Sequence, residues 1–153
     1  MTHWSERFRA IVSVYLILLN DQGDVLLLRR SNTGYKDGEL GLPAGHVDGE
    51  EELMQAMQRE AQEEVGIDLD PADLSLAHVM HRYCGDHERL DFFFTARKWS
   101  GEPSNCERDK CSELIWAPMD QLPEDVIDYY RQAFEKIREG EVYSAFDWAD
   151  KIR

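Results

Sequence analysis

Residues 45–67, GHVDGEEELMQAMQREAQEEVGI, constrain the fold most, because they ask for a helix and then load that helix with acid. Leu53, Met57, Ala61 and Val65 recur every four residues, and Gly66 follows where a C-terminal cap glycine belongs. A helix over 51–65 is therefore expected. With ~100° of rotation per residue, these four side chains form the apolar stripe of a surface helix. Glu60 and Glu64 fall on the edge of that stripe or inside it, and Glu63 lies one turn from Glu60. Two carboxylates thus point where apolar side chains are expected.

A solvated acidic face is the ordinary explanation of a charge run, and it serves poorly here. Like charges three or four residues apart repel by about 0.2–0.5 kcal/mol per pair. Late glutamates also sit near the negative end of the helix dipole. Burying an uncompensated carboxylate costs several kcal/mol. Within the helix only Arg59 offsets these terms. A divalent cation would offset them too, and three convergent carboxylates suit Mg²⁺, with Mn²⁺ as an alternative. The glycines ahead of the helix allow a tight loop whose carbonyls could reach the same ion. Glu51 favours the positive end of the dipole and can bond Arg59, which we read as an orienting partner of the glutamates.

Gly45, Glu51 and the run Arg59-Glu60-Ala61-Gln62-Glu63-Glu64-Val65-Gly66-Ile67 match the pattern G-x5-E-x7-R-E-U-x-E-E-x-G-U, where U is a bulky aliphatic residue. The segment therefore resembles the Nudix box, with every invariant Gly, Glu and Arg in place. Ala61 is smaller than the usual aliphatic residue, and Asp48-Gly49-Glu50-Glu51 departs from the common E-x-G-E loop. The resemblance implies a Nudix-type α/β/α sandwich, with a mixed sheet between helices. It also implies hydrolysis of a nucleoside diphosphate linked to another group, with a divalent metal. Carried over by position, Glu60, Glu63 and Glu64 become metal ligands, joined by a backbone carbonyl at Ala44 or Gly45. The general base in this family is a box glutamate or an acid from a distant loop. Here the loop candidate is Glu107 in NCERDKC, with Asp109 second. The catalytic set is thus Arg59, Glu63, Glu64 and Glu107.

The rest of the chain reads as one domain, 1–153. Strands are expected at 10–19 and 25–30, paired as a hairpin across NDQGD. Further strands are expected at 76–83, 89–99 and 113–119, and a second helix at 125–138. The aromatic tail, 142–153, is expected to dock on the body or on a partner, so a homodimer is allowed. The net charge of −14 argues against a nucleic-acid surface, which needs many Lys and Arg contacts to phosphate. No apolar run is long enough to cross a bilayer. Cys84, Cys106 and Cys111 have no disulfide or zinc spacing and read as reduced thiols. A cytoplasmic protein with a small nucleotide substrate is the expectation.

The compact chain and its post-box segment 102–123 resemble MutT-like enzymes that convert a nucleoside triphosphate to the monophosphate and pyrophosphate. Alternatives are a dinucleoside polyphosphate hydrolase, suggested by Tyr83 sixteen residues beyond the box, and a non-catalytic nucleotide sensor. The ADP-ribose class drops, because Arg82 stands where its proline marker would. Arg29 or its neighbour Arg30 is a candidate for substrate phosphate. Phe92 and Phe94 share one strand face and are candidates to stack on the base; Phe93 faces the other way.

Overall fold

A computed structural model gives the architecture and describes residues 3–149. In chain order the elements are β1 (Ile11–Leu18), β2 (Asp24–Arg30), β3 (Leu40–Gly41), β4 (Ala44–His46), α1 (Leu53–Val65), β5 (Leu74–Tyr83), β6 (Glu88–Ala96), β7 (Cys111–Pro118), α2 (Asp128–Arg138) and β8 (Tyr143–Phe146). One mixed sheet has the order β4-β1-β6-β5-β8, and a second has the order β3-β2-β7. Among the described residues no helix is long and apolar enough to cross a membrane.

The expected β1–β2 hairpin does not form as a ladder. The two strands touch only at a bridge between Leu19 and Val25 and then diverge into separate sheets. The reason is that each has both edges taken. β1 pairs antiparallel with β4 and parallel with β6. β2 pairs antiparallel with β3 and with β7.

Strand parity then sorts the core into two layers. Tyr15, Ile17, Val25, Leu27 and Phe93 pack with Tyr129, Tyr130 and Phe134 of α2. Val14, Leu16, Leu18, Leu26, Leu28 and Phe94 pack with Ala56, Met57, Ala61 and Val65 of α1. Both faces of β1 and β2 are therefore dry, which is why these strands read as unbroken apolar runs instead of alternating ones. The result is the expected sandwich, with a helix against each face. The tail docks on the body: β8 runs parallel to β5, and the Trp148 indole donates to the His81 carbonyl at 2.8 Å. Buried His78 joins the same edge, with its ring 2.8 Å from the Ser144 hydroxyl. Residues 150–153 of the expected tail lie outside the described residues.

Phe93 is fully buried, and its ring stacks on Tyr15 at a centroid distance of 4.6 Å. Phe93→Ala should cost about 3–5 kcal/mol of stability, whereas Leu76→Ala, at an exposed site of β5, should stay within about 0.5 kcal/mol. Urea denaturation of both variants checks this.

Candidate active site

The box helix starts two residues inside its expected span, at Leu53. Glu52 is the N-cap: its carboxylate accepts from the Gln55 N–H, and the Gln55 side chain accepts from the Glu52 N–H. That reciprocal pair frees Glu51, whose carboxylate takes the Asp48 N–H at 3.0 Å and forks onto Arg59 at 2.7 and 3.1 Å. Gly66 closes the helix at φ 70°, a left-handed cap.

Arg59 is the hub of the site. Besides Glu51, its guanidinium donates to Glu60 at 2.8 Å, to Glu63 at 3.4 Å and to the His46 carbonyl at 3.1 Å. It therefore ties the helix to the box loop and to β4, and it partly neutralises two of the three helix carboxylates. Glu63 is the outermost, with its side chain 52% exposed against 12% for Glu60.

Strand β4 comes so close to the helix that a side chain at Gly45 would push the Glu60 carboxyl out of place. A Cβ at Gly45 would stand 2.0 Å from the Glu60 carboxyl. One residue earlier, the Ala44 N–H donates to Glu64 at 2.9 Å. Glu107 reaches the same place because its loop is pinned to the end of α1. The Ser104 and Cys106 N–H groups donate to the Val65 and Glu64 carbonyls, at 3.0 and 3.1 Å. This also satisfies carbonyls that a helix end leaves open. Glu60, Glu63, Glu64 and Glu107 all line one cleft of about 810 Å³; Asp109 is not among its lining residues.

Burial sets the electrostatics of this row. It pushes the Glu64 carboxyl up to about 8, against the pull of the Ala44 N–H, and neighbouring Glu60 and Glu107 push the same way. Burial also raises Glu60, less so because Arg59 pulls it back. The donor set is all oxygen, half-buried and short of positive charge, which fits a hard divalent cation. As they stand, however, no three His, Cys, Asp or Glu side chains among the described residues meet closely enough to hold a metal ion. Arg59 draws Glu60 and Glu63 aside, and Ala44 holds Glu64, so closure on an ion requires side-chain rotation.

Basic groups line the rest of the cleft. β2 and β7 slip register between Arg29 and Arg30, and both arginines line it, which simple alternation does not anticipate. Arg29 is committed to Glu113 at 2.9 Å, to Asp125 at 2.6 Å and to the Gly38 carbonyl at 2.7 Å. Arg30 bonds the Tyr35 carbonyl through Nε at 2.8 Å and lies over the Tyr35 ring.

The stacking expectation for Phe92 and Phe94 is corrected. Phe94 is buried under α1, and Phe92 packs against the same cluster, so neither lines the cleft. Parity told that they share a face, but that face is the one α1 covers. Half-exposed Tyr35 is an aromatic ring at the cleft that sequence reasoning missed, as are the buried Tyr129 and Tyr130. Tyr35 sits in the loop 31–39, where no periodicity marks a face. Tyr83 stands 5.3 Å from Trp148 and is not among the lining residues. Arg82, Asp91, Arg89 and His46 were also missed, being single polar residues on strands.

The fold and this site define a class: a helix-borne row of carboxylates set against a glycine strand, with a mixed sheet behind. Comparison with known proteins makes the class specific. The NUDIX domain profile matches residues 9–137, and the chain belongs to that family. Over 87 residues it is 31% identical to the 8-oxo-dGTP diphosphatase of Escherichia coli K12, covering 57% of this chain and 66% of that protein. It is 32% identical over 113 residues to the 8-oxo-dGDP phosphatase NUDT18 of Mus musculus, covering 72% of this chain but only 33% of that one. Among solved structures, the MutT NUDIX hydrolase from Burkholderia pseudomallei superposes with a TM-score of 0.75 at 30% identity, covering 83% of this chain and 97% of the other. Nudix hydrolases generally need divalent metal ions.

The raised Glu64 carboxyl has a measurable consequence. Between the ordinary glutamate value and about 8 the folded protein holds a proton that the unfolded chain has released. In metal-free protein, stability from this group is therefore present at low pH and lost as pH rises towards 8. The melting temperature should fall across that window, and Glu64→Gln should flatten the fall. Gly45→Ala should displace Glu60 and abolish stabilisation by Mg²⁺ while circular dichroism stays near normal.

Proposed function

We propose that this protein is a MutT-like, Mg²⁺-dependent pyrophosphohydrolase, cleaving a (d)NTP to the monophosphate and pyrophosphate. Mn²⁺ would substitute for Mg²⁺. The observation that carries the reading is the row of Glu60, Glu63, Glu64 and Glu107 facing one cleft, with burial, and then the neighbouring Glu60 and Glu107, pushing the Glu64 carboxyl up to about 8. The names of the relatives, an 8-oxo-dGTP diphosphatase and an 8-oxo-dGDP phosphatase, favour an oxidised purine nucleotide as the substrate. Reduced thiols and a nucleotide substrate suit the cytoplasm.

In this reading Glu60, Glu63 and Glu64 hold the cation together with the Gly45 carbonyl. The bound ion would neutralise pyrophosphate oxygens and acidify the attacking water. Glu107 takes that water's proton. The water oxygen bonds to one phosphorus of the anhydride, and the bond from that phosphorus to the bridging oxygen breaks. Arg59 acts as a positioning residue, holding Glu51, Glu60 and Glu63 in register. Arg30, with fewer of its donors committed than Arg29, is the better phosphate ligand of the two. Tyr35 takes the stacking role first assigned to Phe92 and Phe94.

Pyrophosphate release from dGTP and 8-oxo-dGTP, with and without Mg²⁺, tests the reading. Turnover should need the ion and favour the oxidised nucleotide. Glu64→Gln should remove most of it. Glu107→Ala should lower kcat by about 10²–10⁴-fold and change the pH–rate profile. Arg59→Gln should raise the Mg²⁺ requirement by about 10–100-fold. Mg²⁺-independent turnover, or full activity in Glu64→Gln, would overturn the assignment.

A further inference from the structure

We propose that the cleft holds a second anion subsite, built on Arg89 and Arg82 on the opposite side of β4 from the carboxylate row, which receives a phosphoryl group of the substrate other than those at the bond cleaved. The proposal rests on the nucleotide reading above and extends it.

Strand geometry places the subsite. Successive residues of β4 face opposite ways: Gly45 meets the Glu60 carboxyl, and the His46 ring meets Arg89 at 3.0 Å. Behind β4 the register runs from His46 to Ser13 on β1, from Ser13 to Asp91 on β6, and from Arg89 on β6 directly across to Arg82 on β5. Two arginines are thus cross-strand partners, an arrangement that repels unless something negative lies between or beside them.

The compensation present covers only one of them. Arg82 is 6% exposed and bonded through Nε to fully buried Asp91, whose other oxygen accepts from the Tyr15 hydroxyl at 2.9 Å. Arg82 also lies face-on over Tyr129, 3.7 Å from the ring centroid. Arg89 has no carboxylate within ion-pair distance among the described residues. Its bonds go to the His87 ring at 3.1 Å, the Ser13 hydroxyl at 3.3 Å and the His46 ring. An arginine can only donate, so both imidazoles accept from it through Nε2. Asp86 stands behind His87, held to its other ring nitrogen at 2.7 Å. In a chain of net charge −14, this corner of the cleft keeps an unpaired positive charge beside a second one.

The occupant is an anion and not a base. The aromatic faces here are already covered: Tyr129 by the Arg82 guanidinium and Tyr15 by Phe93. A phosphoryl group suits the uncompensated guanidinium of Arg89, with the Arg82 charge behind it; Arg82 itself is committed to Asp91 and, at 3.3 Å, to the Tyr15 hydroxyl. A nucleotide that bridges from the carboxylate row to this corner carries, beyond the anhydride that is cleaved, a further phosphate such as one on the 3′ hydroxyl; dGTP lacks it, and the subsite adds such nucleotides to the substrate class proposed above.

The test compares guanosine 3′,5′-bisphosphate with GMP by calorimetry on the full chain, wild type and Arg89→Gln, with Mg²⁺ present. Wild type should bind the bisphosphate about tenfold more tightly than GMP, and in Arg89→Gln that ratio should fall to about one. Melting curves confirm that the variant folds, and Arg89→Lys should recover part of the ratio. Equal affinity for the two ligands in wild type, or a preference that survives Arg89→Gln, would overturn the proposal. Hydrolysis of dGTP in the same preparations separates the two claims: turnover without a bisphosphate preference sinks this subsite alone, and absent turnover sinks the enzymatic reading.

Discussion

The close approach of β4 to the second half of α1 holds the site together. Gly45 admits the Glu60 carboxyl because it has no Cβ, and the Ala44 N–H reaches Glu64 one residue away. These contacts press two carboxylates towards the sheet, away from water. The apolar stripe of α1, with Ala56, Met57, Ala61 and Val65 buried on β1 and β2, supplies the force that keeps them there. Hydrophobic packing therefore bears the electrostatic strain, and a bound cation would relieve it.

Arg59 shows why such strain is tolerable in the folded protein. It reaches Glu51, Glu60, Glu63 and the His46 carbonyl, so one cation stands against several anions. It reaches neither Glu64 nor Glu107. Of these two, Glu64 is the one that burial drives up to about 8. Arg59 thus neutralises one part of the row and leaves Glu64 and Glu107 without a cationic partner from it.

The sequence made α1 legible because the 3.6-residue period and a crowded stripe are local properties. Wheel geometry alone put Glu60, Glu63 and Glu64 on one side, and the cleft gathers them on one wall. Glu107 was legible only as a loop acid, since its position depends on Ser104 and Cys106 bonding the end of α1. Alternation paired Phe92 with Phe94 correctly and could not say which helix would cover them. The β1–β2 hairpin failed for a related reason: adjacency in sequence does not reveal that distant β6 and β7 claim the free edges. Arg82 and Arg89 become neighbours only through the β5–β6 register, so no single stretch of sequence announces them.

The most direct measurement is the number of protons released when Mg²⁺ binds, from calorimetric titrations at pH 7 in two buffers of different ionisation enthalpy. A Glu64 carboxyl near 8 is mostly protonated at that pH, and a cation must expel the proton to use the oxygen. Release approaching one proton per ion, absent in Glu64→Gln, is the expected result. Binding without proton release, or no binding in the presence of a non-hydrolysable nucleotide, would contradict a buried carboxylate row that waits for a metal.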